Sequence, residues 1–335
     1  MGCGASHMTR IRILTDAEVE GLIDSGEAIE VVERAFADFA AGRAEMPSKV
    51  YLTFPRYGGD IRTMPAATGD VYAGVKLVNS HGRNPARGLP AVVGTYVLFA
   101  QETGMPLCLM AATHLTALRT GAASGVATRY VAREDAVRVG LIGAGVQAPH
   151  QLRAVVGVRG VEQVVVWGPE GDRARTEGTA AALRGEFAGL PVDVVETAAE
   201  AADSDIVCTT TPSRAPLFPA GALRDGAHIN AVGADGPGKQ ELDPAILRSA
   251  RLIVDEVDQA IHGGEVNVPM AAGELSPEQI AGTLPDVVSG KIPGRTSASE
   301  VTVFDSTGLA IQDLAVAMSV YERAVERQIG TFVEL

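Results

Sequence analysis

The spacing of apolar positions changes twice along the chain. Thr15-Asp16-Ala17-Glu18 has the form of a capping box, a Thr at the N-cap with a Glu three residues on. Beyond it Ile29, Val32, Phe36 and Phe39 recur at helical spacing and predict one amphipathic helix, with Gly42 as its stop. The period then shortens. Val50 to Phe54, Ile61 to Ala66, Val71 to Val78, Ala91 to Phe99 and Pro106 to Ala111 are β-rich runs separated by Gly, Pro or Asn, and Gln101-Glu102-Thr103-Gly104 has the composition of a hairpin turn. This half therefore predicts a helix pair followed by a largely antiparallel sheet.

From about residue 113 helical and extended patterns alternate. Thr113 to Ala132 is rich in Ala and Leu and predicts a helix. Val137 to Ile142 is apolar without alternation, as a parallel strand buried on both faces should be. Further strands are expected at Val161 to Trp167, Val192 to Val195, Asp205 to Thr209, Ala227 to Val232 and Leu252 to Val254, with helices between them. Thr197-Ala198-Ala199-Glu200 is another capping box, and a last helix is expected from Ile311 to Arg327, after the Gly308 turn. The fold class that follows is α/β, a Rossmann-type doubly wound parallel sheet joined to an α+β unit. The boundary, near residue 118, falls inside a helix, so the two units should be tightly joined. There is no internal repeat and no low-complexity linker.

With 335 residues, 46% hydrophobic and 21% charged, the chain is long enough for two cores and ordinary for a globular protein. The net charge of −13 argues against nucleic acid or an anionic membrane as a partner, because Lys and Arg supply most phosphate affinity. It leaves room for a small anionic substrate, whose pocket a local cation cluster can dominate. No apolar run approaches the ~20 residues of a membrane helix, and no secretory signal pattern is present. Met1 to His7 show no periodicity and read as an added leader, with Met8 as a candidate start. Cys3, Cys108 and Cys208 are too far apart for a zinc knuckle or a disulfide framework. A reducing cytoplasm is the expected compartment.

Chemistry first shows at Val139-Gly140-Leu141-Ile142-Gly143-Ala144-Gly145-Val146-Gln147-Ala148, which places Gly-x-Gly-x-x-Ala between an apolar strand and a helix. Gly143 permits the tight turn, Gly145 lets a pyrophosphate approach the backbone, and Ala148 lets the helix pack on the sheet. The helix N-terminus then turns unpaired N–H groups toward the phosphates. NAD and NADP are left open as cofactors. The next strand ends Val166-Trp167-Gly168-Pro169 without the acid that normally holds a ribose 2′-hydroxyl. Glu170 or Asp172 could replace it, Arg173 or Arg175 could meet a 2′-phosphate, and all four could equally be solvated charges.

Several further segments resemble one family. These are Gly74-Val75-Lys76-Leu77-Val78-Asn79, Gly88-Leu89-Pro90, Leu115 to Ala122 with Arg119 and Thr120, Gly233-Ala234-Asp235-Gly236 through Leu242, and Phe304-Asp305-Ser306-Thr307-Gly308 through Asp313. Their order and spacing resemble the ornithine cyclodeaminase/mu-crystallin family over nearly the whole chain from about residue 15. Gly236, where the ornithine enzyme has Cys, and Thr209-Thr210-Thr211-Pro212 are closer to the alanine dehydrogenase and imino-acid reductase branch. The resemblance implies a homodimer, with residues 8–118 and 311–335 as the substrate-binding and dimerisation domain and 119–310 as the dinucleotide domain. It implies a small amino, oxo or imino acid as substrate, with ammonia as a possible co-substrate.

It also implies site residues. Arg62, Lys76 and Arg119 match carboxylate-binding positions, with Lys49 a weaker candidate; Asp235 matches the proton-transfer group, Lys76 stands beside it as a catalytic candidate, and Lys239 supports Asp235. Gly143, Gly145, Val146, Gln147, Ala148, Thr120, Thr209, Thr210, Ser306 and Arg173 are the cofactor-side candidates. Each has an ordinary alternative: a strand Arg or Lys is usually a solvated charge, Asp-Gly is common turn chemistry, and Cys208 reads as a core residue. His81, His114, His228 and His262 have no metal-ligand spacing. Three readings stand: an amino-acid dehydrogenase or imine reductase, a cyclodeaminase that retains its cofactor, and a non-enzymatic binder. Lys76, Arg119 and Asp235 together argue against the last.

Overall fold

The computed structural model describes residues 10–334; Met1 to His7, with Cys3, and Met8 lie outside the described residues. The first part of the chain contains β1 (Arg10–Leu14), α1 (Asp16–Glu20), α2 (Ser25–Ala40), β2 (Ala44–Glu45), β3 (Val50–Phe54), β4 (Gly59–Thr68), β5 (Tyr72–His81), β6 (Val92–Ala100), β7 (Pro106–Ala111) and α3 (Thr113–Val131). The second contains β8 (Arg138–Ile142), α4 (Gln147–Val156), β9 (Gln163–Trp167), α5 (Arg173–Glu186), β10 (Val192–Val194), α6 (Ala198–Ala202), β11 (Ile206–Thr209), β12 (Arg214–Phe218), β13 (His228–Ala231) and β14 (Gln240–Leu242). The last contains α7 (Pro244–Ser249), β15 (Arg251–Val254), α8 (Val257–Gly263), α9 (Asn267–Ala271), β16 (Ile280–Thr283), α10 (Leu284–Val288), β17 (Thr302–Asp305), α11 (Ala310–Glu326) and β18 (Thr331–Glu334).

Local chemistry sets the helix starts. The Thr15 and Thr197 boxes both form, Thr15 N–H donating to Glu18 at 2.8 Å and Thr197 N–H to Glu200 at 2.8 Å. α2 buries Ile29, Val32 and Phe36 as their spacing predicts.

One sheet runs β18-β1-β7-β6-β5-β4-β2, with β3 on β4. It is antiparallel from β7 through β4 and β2, while β1 lies parallel to β7 and antiparallel to β18. Neither β1 nor β18 was among the expected strands. β1 does show the alternation Arg10-Ile11-Arg12-Ile13, but its closest partner in the sheet, β7, lies almost a hundred residues on.

The other sheet runs β10-β9-β8-β11-β13-β17-β15-β16 and every pair in it is parallel. This is the doubly wound arrangement expected, with the order reversing between β8 and β11. Such a reversal opens a crevice at the C-terminal strand ends. β16 and β17 were not expected as strands; β17 inserts between β13 and β15, so its four residues are recognisable only by their neighbours. A small parallel pair, β12 with β14, was also missed.

Between the sheets lies α3, packed on α2 and α11 on one side and on α4 and β13 on the other. Nearly all of its residues are buried, which is why it shows no amphipathic stripe. No helix among the described residues is long and apolar enough to cross a membrane.

Candidate active site

Strand alternation points Arg62 and Met64 of β4, and Lys76 and Val78 of β5, to the same buried face of the first sheet. That face meets α11 and the C-terminal ends of β13, β15 and β17. Arg119 enters from α3 and Lys49 from the approach to β3. The sequence left the strand faces of Arg62 and Lys49 undetermined; the fold brings both into the cluster with Lys76, Arg119 and Asp235.

Arg62 binds Asp60 with two N–H groups, at 3.0 and 3.2 Å, and donates to the Asp235 carboxylate at 2.7 Å. Lys239 donates to the other oxygen of Asp235. Lys76, 0% exposed, donates to Asp313 Oδ1 at 2.7 Å, and Arg119 Nε reaches the same oxygen at 3.0 Å. Arg119 also donates to Gln312 Oε1 at 3.0 Å. Lys49 Nζ donates to the Thr307 carbonyl at 2.6 Å, and Asp255 accepts from the Thr307 and Gly308 N–H groups at 2.6 and 2.7 Å. Tyr51 lies under the Arg62 guanidinium and 5.8 Å from the His262 ring. The basic side chains Lys49, Arg62, Lys76, Arg119 and Lys239 thus gather around Asp60, Asp235, Asp255 and Asp313, a concentration of cationic groups that suits a ligand carrying a carboxylate.

The electrostatics separate the proton-exchange candidates. Burial, then the positive charge of Arg119, pushes the Lys76 ammonium down to about 7, against the pull of Asp313. Burial lowers Lys49 to about 8, against the pull of Asp255. Asp235 goes the other way. Burial alone would raise it, but Arg62 and Lys239 hold its carboxyl well below the usual range. A carboxylate held so firmly is a poor proton acceptor, so the role the resemblance implies for Asp235 fits its surroundings less well than that of a fixed anion.

On the cofactor side, Gly143 adopts φ +110° and its N–H donates to the Trp167 carbonyl at 2.8 Å. A Cβ there would sit 2.6 Å from the Thr210 hydroxyl, whereas one on Gly145 would meet nothing within 4 Å. Gly145 is exposed, Val146 is 72% exposed, and α4 starts without a side-chain cap. Ala148 is fully buried against the sheet; Gln147 is half-buried and accepts from Gln151. Thr209 ends β11 and Thr210 N–H donates to the Ile142 carbonyl at 2.9 Å. Ser306 Oγ is buried without a partner beside this crevice, and Thr120 Oγ1 donates to the Thr116 carbonyl. An open backbone at Gly145 and an uncapped helix start fit a dinucleotide pyrophosphate. Arg173 does not join this set: it is paired with Glu196 at 2.7 Å and Glu177 at 3.1 Å.

Sequence reasoning gave no role to Asp313 and Gln312, although a polar pair inside the buried face of α11 was a usable signal. Asp255 was also missed, an acid directly after the apolar run Leu252 to Val254. His228 is a packed residue, bonded to Thr302 and Asn230, and burial pushes the Cys208 thiol up to about 12.

A doubly wound sheet with a glycine turn at its switch point, facing a cation cluster from a second sheet, defines a dinucleotide-fold protein. The chain belongs to the ornithine cyclodeaminase/mu-crystallin family, whose pattern matches residues 10–328. It is 47% identical over 322 residues to an alanine dehydrogenase of Archaeoglobus fulgidus, covering 96% of this chain and 98% of that protein. Among solved structures, an archaeal alanine dehydrogenase dimer with bound NAD superposes with a TM-score of 0.93 at 45% identity, covering 98% of this chain and all of that one (100%). The Δ1-pyrroline-2-carboxylate reductase of Thermococcus litoralis, in complex with NADH and L-proline, gives 0.92 at 38% identity, with 96% and 100% covered.

Proposed function

We propose that this chain is an NAD(P)-dependent oxidoreductase of a small 2-amino or 2-imino acid, of the alanine dehydrogenase or imino-acid reductase type. The observation that carries the reading is the meeting of Lys49, Arg62, Lys76, Arg119 and Asp235 at the strand ends that also bear the Gly143–Ala148 turn. The relatives described above act on or bind small amino or imino acids and nicotinamide dinucleotides, which supports it.

The nicotinamide supplies or accepts the hydride; the chain binds, orients and moves protons. Arg119 and Arg62 grip the substrate carboxylate. Lys76 exchanges the proton at the substrate nitrogen, and Asp235, a fixed anion, attracts the cationic iminium or ammonium. Thr120, Thr209, Thr210 and Ser306 would line the dinucleotide. In this reading residues 8–118 with 311–335 hold the substrate and 119–310 hold the cofactor. A spectrophotometric screen with both reduced cofactors, ammonia, and a panel of 2-oxo acids and cyclic imines tests it. Cofactor oxidation dependent on one such acid is expected; binding without turnover on the whole panel would sink the reading.

Asp235→Asn is expected to lower turnover by about 100- to 1,000-fold while barely changing cofactor affinity, because it removes the anion but not its size. Steady-state kinetics beside a cofactor titration check this. Near-full turnover would mean that Asp235 only ties Arg62 to Lys239.

A homodimer is also part of the reading. β3, β4, β5 and β6 turn Val50, Leu52, Ile61, Leu77 and Val93 to the face opposite Arg62 and Lys76, and all five are exposed. A contiguous apolar sheet face of this kind is the mark of an interface. Sedimentation should give a dimer at micromolar concentration, and Leu52→Lys with Leu77→Lys should release monomer; a monomeric wild type would overturn it.

A further inference from the structure

Beneath the strand-end loops lies a run of acids that the proposed reaction does not use. Glu241 in β14, Glu265 between α8 and α9, and Asp305 at the end of β17 are each 0% exposed. Each carboxyl clamps backbone further along the run. Asp305 accepts from the N–H groups of Glu265 and Val266, at 2.9 and 3.3 Å. Glu265 Oε1 accepts from the N–H groups of Glu241 and Leu242, at 2.8 and 2.6 Å. Glu241 accepts from the Thr211 N–H at 2.6 Å, the Thr211 hydroxyl at 2.7 Å and the Gly233 N–H at 2.9 Å. The run therefore ends on the loop after Thr209 and Thr210, and on the loop that carries Asp235.

No member of the run forms an ion pair among the described residues; the ion pairs of the neighbouring loop join Asp235 to Arg62 and Lys239. Glu265 faces the charges of Glu241 and Asp305, and Asp305 faces Asp255 and Lys49. Glu265 Oε2 is buried with no partner at all. A carboxylate oxygen left so costs far more than the oxygen of a neutral acid, and closely spaced buried acids do not all ionise.

We propose that Glu241, Glu265 and Asp305 are an electrostatically coupled positioning chain, with at least one member kept as the neutral acid, that sets the geometry of the loop after Thr210 and of the loop that carries Asp235. Burial pushes Glu241 up to about 7 and Asp305 up to about 8, and Glu265, facing Glu241 as well, is raised well above its ordinary value. As pH rises through this window the chain gains negative charge, no cation forms an ion pair with it, and repulsion loosens the clamps on Thr211 and Gly233.

The inference rests on the dinucleotide reading, and two measurements on the full chain keep their failures apart. Reduced dinucleotide affinity, followed by fluorescence titration, is expected to fall by about tenfold between about pH 7 and about pH 9, the effect of one pKa unit. Glu265→Gln, a permanent stand-in for the neutral acid, should make that fall clearly smaller. Infrared spectra should show a protonated-carboxyl band at neutral pH that disappears on raising the pH and is weaker in Glu265→Gln. An equal fall in the variant, no fall in the wild type, or no such band would overturn the chain. If no dinucleotide binds at any pH, the function reading fails and the infrared band alone decides. Should Glu265→Gln not fold, Glu241→Gln carries the same comparison.

Discussion

Replacing Lys76 by methionine is expected to cut turnover by about 100- to 10,000-fold, the usual contribution of a positioned acid–base group. Methionine keeps the length and apolar stem of the side chain, and Arg119 stays in place to partner Asp313, so the buried carboxylate is not stranded. The fold should survive, which thermal unfolding checks. The pH dependence makes the assignment specific. Lys76 is neutral above about 7 and cationic below. Oxidation of the amino acid needs the neutral base, so its rate should rise as pH passes upward through about 7 and then level off. Reduction of the imine needs the cation, so its rate should be level below about 7 and fall above it. Lys76→Arg keeps the charge and cannot lose it. That variant should retain more of the reductive reaction than of the oxidative one. If both limbs persist unchanged in Lys76→Arg, another group exchanges the proton, and Lys49, lowered to about 8, is the next to test.

The sequence made legible those features that follow from nearest neighbours. Capping boxes at Thr15 and Thr197 and the glycine turn after β8 are local chemistry, and each formed as its residues required. β1, β17 and β18 are the opposite case. Each is only four or five residues long, and each is made a strand by a partner far away in the chain. The site divides in the same way. That Arg62 and Lys76 share a face depends on the pairing of Met64 with Lys76 across β4 and β5; a one-residue slip would turn one set outward. Nor does spacing reveal that Asp313, more than two hundred residues beyond Lys76, supplies the oxygen that both Lys76 and Arg119 bind. Asp235 shows what a motif leaves out. Its position matches the family signature, yet, against its burial, its carboxyl is held low by Arg62 from the other sheet, a partner visible only after folding, and by Lys239.

Gly145→Trp is expected to abolish dinucleotide binding while leaving the fold intact, and the contrast with its neighbour two residues back makes the result interpretable. Any side chain at Gly143 would suffer twice, from φ +110° and from the Thr210 hydroxyl 2.6 Å from a Cβ, so loss of binding there would not distinguish strain from occlusion. Gly145 has neither problem: its φ is not in the left-handed region and a Cβ meets nothing within 4 Å. An indole on this exposed turn costs the chain little and fills the space in which a pyrophosphate must lie against the N-terminus of α4. The natural chain has one tryptophan, Trp167, whose carbonyl accepts the Gly143 N–H and whose fluorescence should report occupancy of the turn. Since the variant adds a second indole, calorimetric titration is the cleaner comparison. Wild-type chain should bind the reduced cofactor with a measurable heat, and Gly145→Trp should give none at the same concentrations, with its unfolding temperature nearly unchanged. Equal heats in the two proteins would reduce the glycine turn to a structural feature and move the cofactor away from the switch point between β8 and β11.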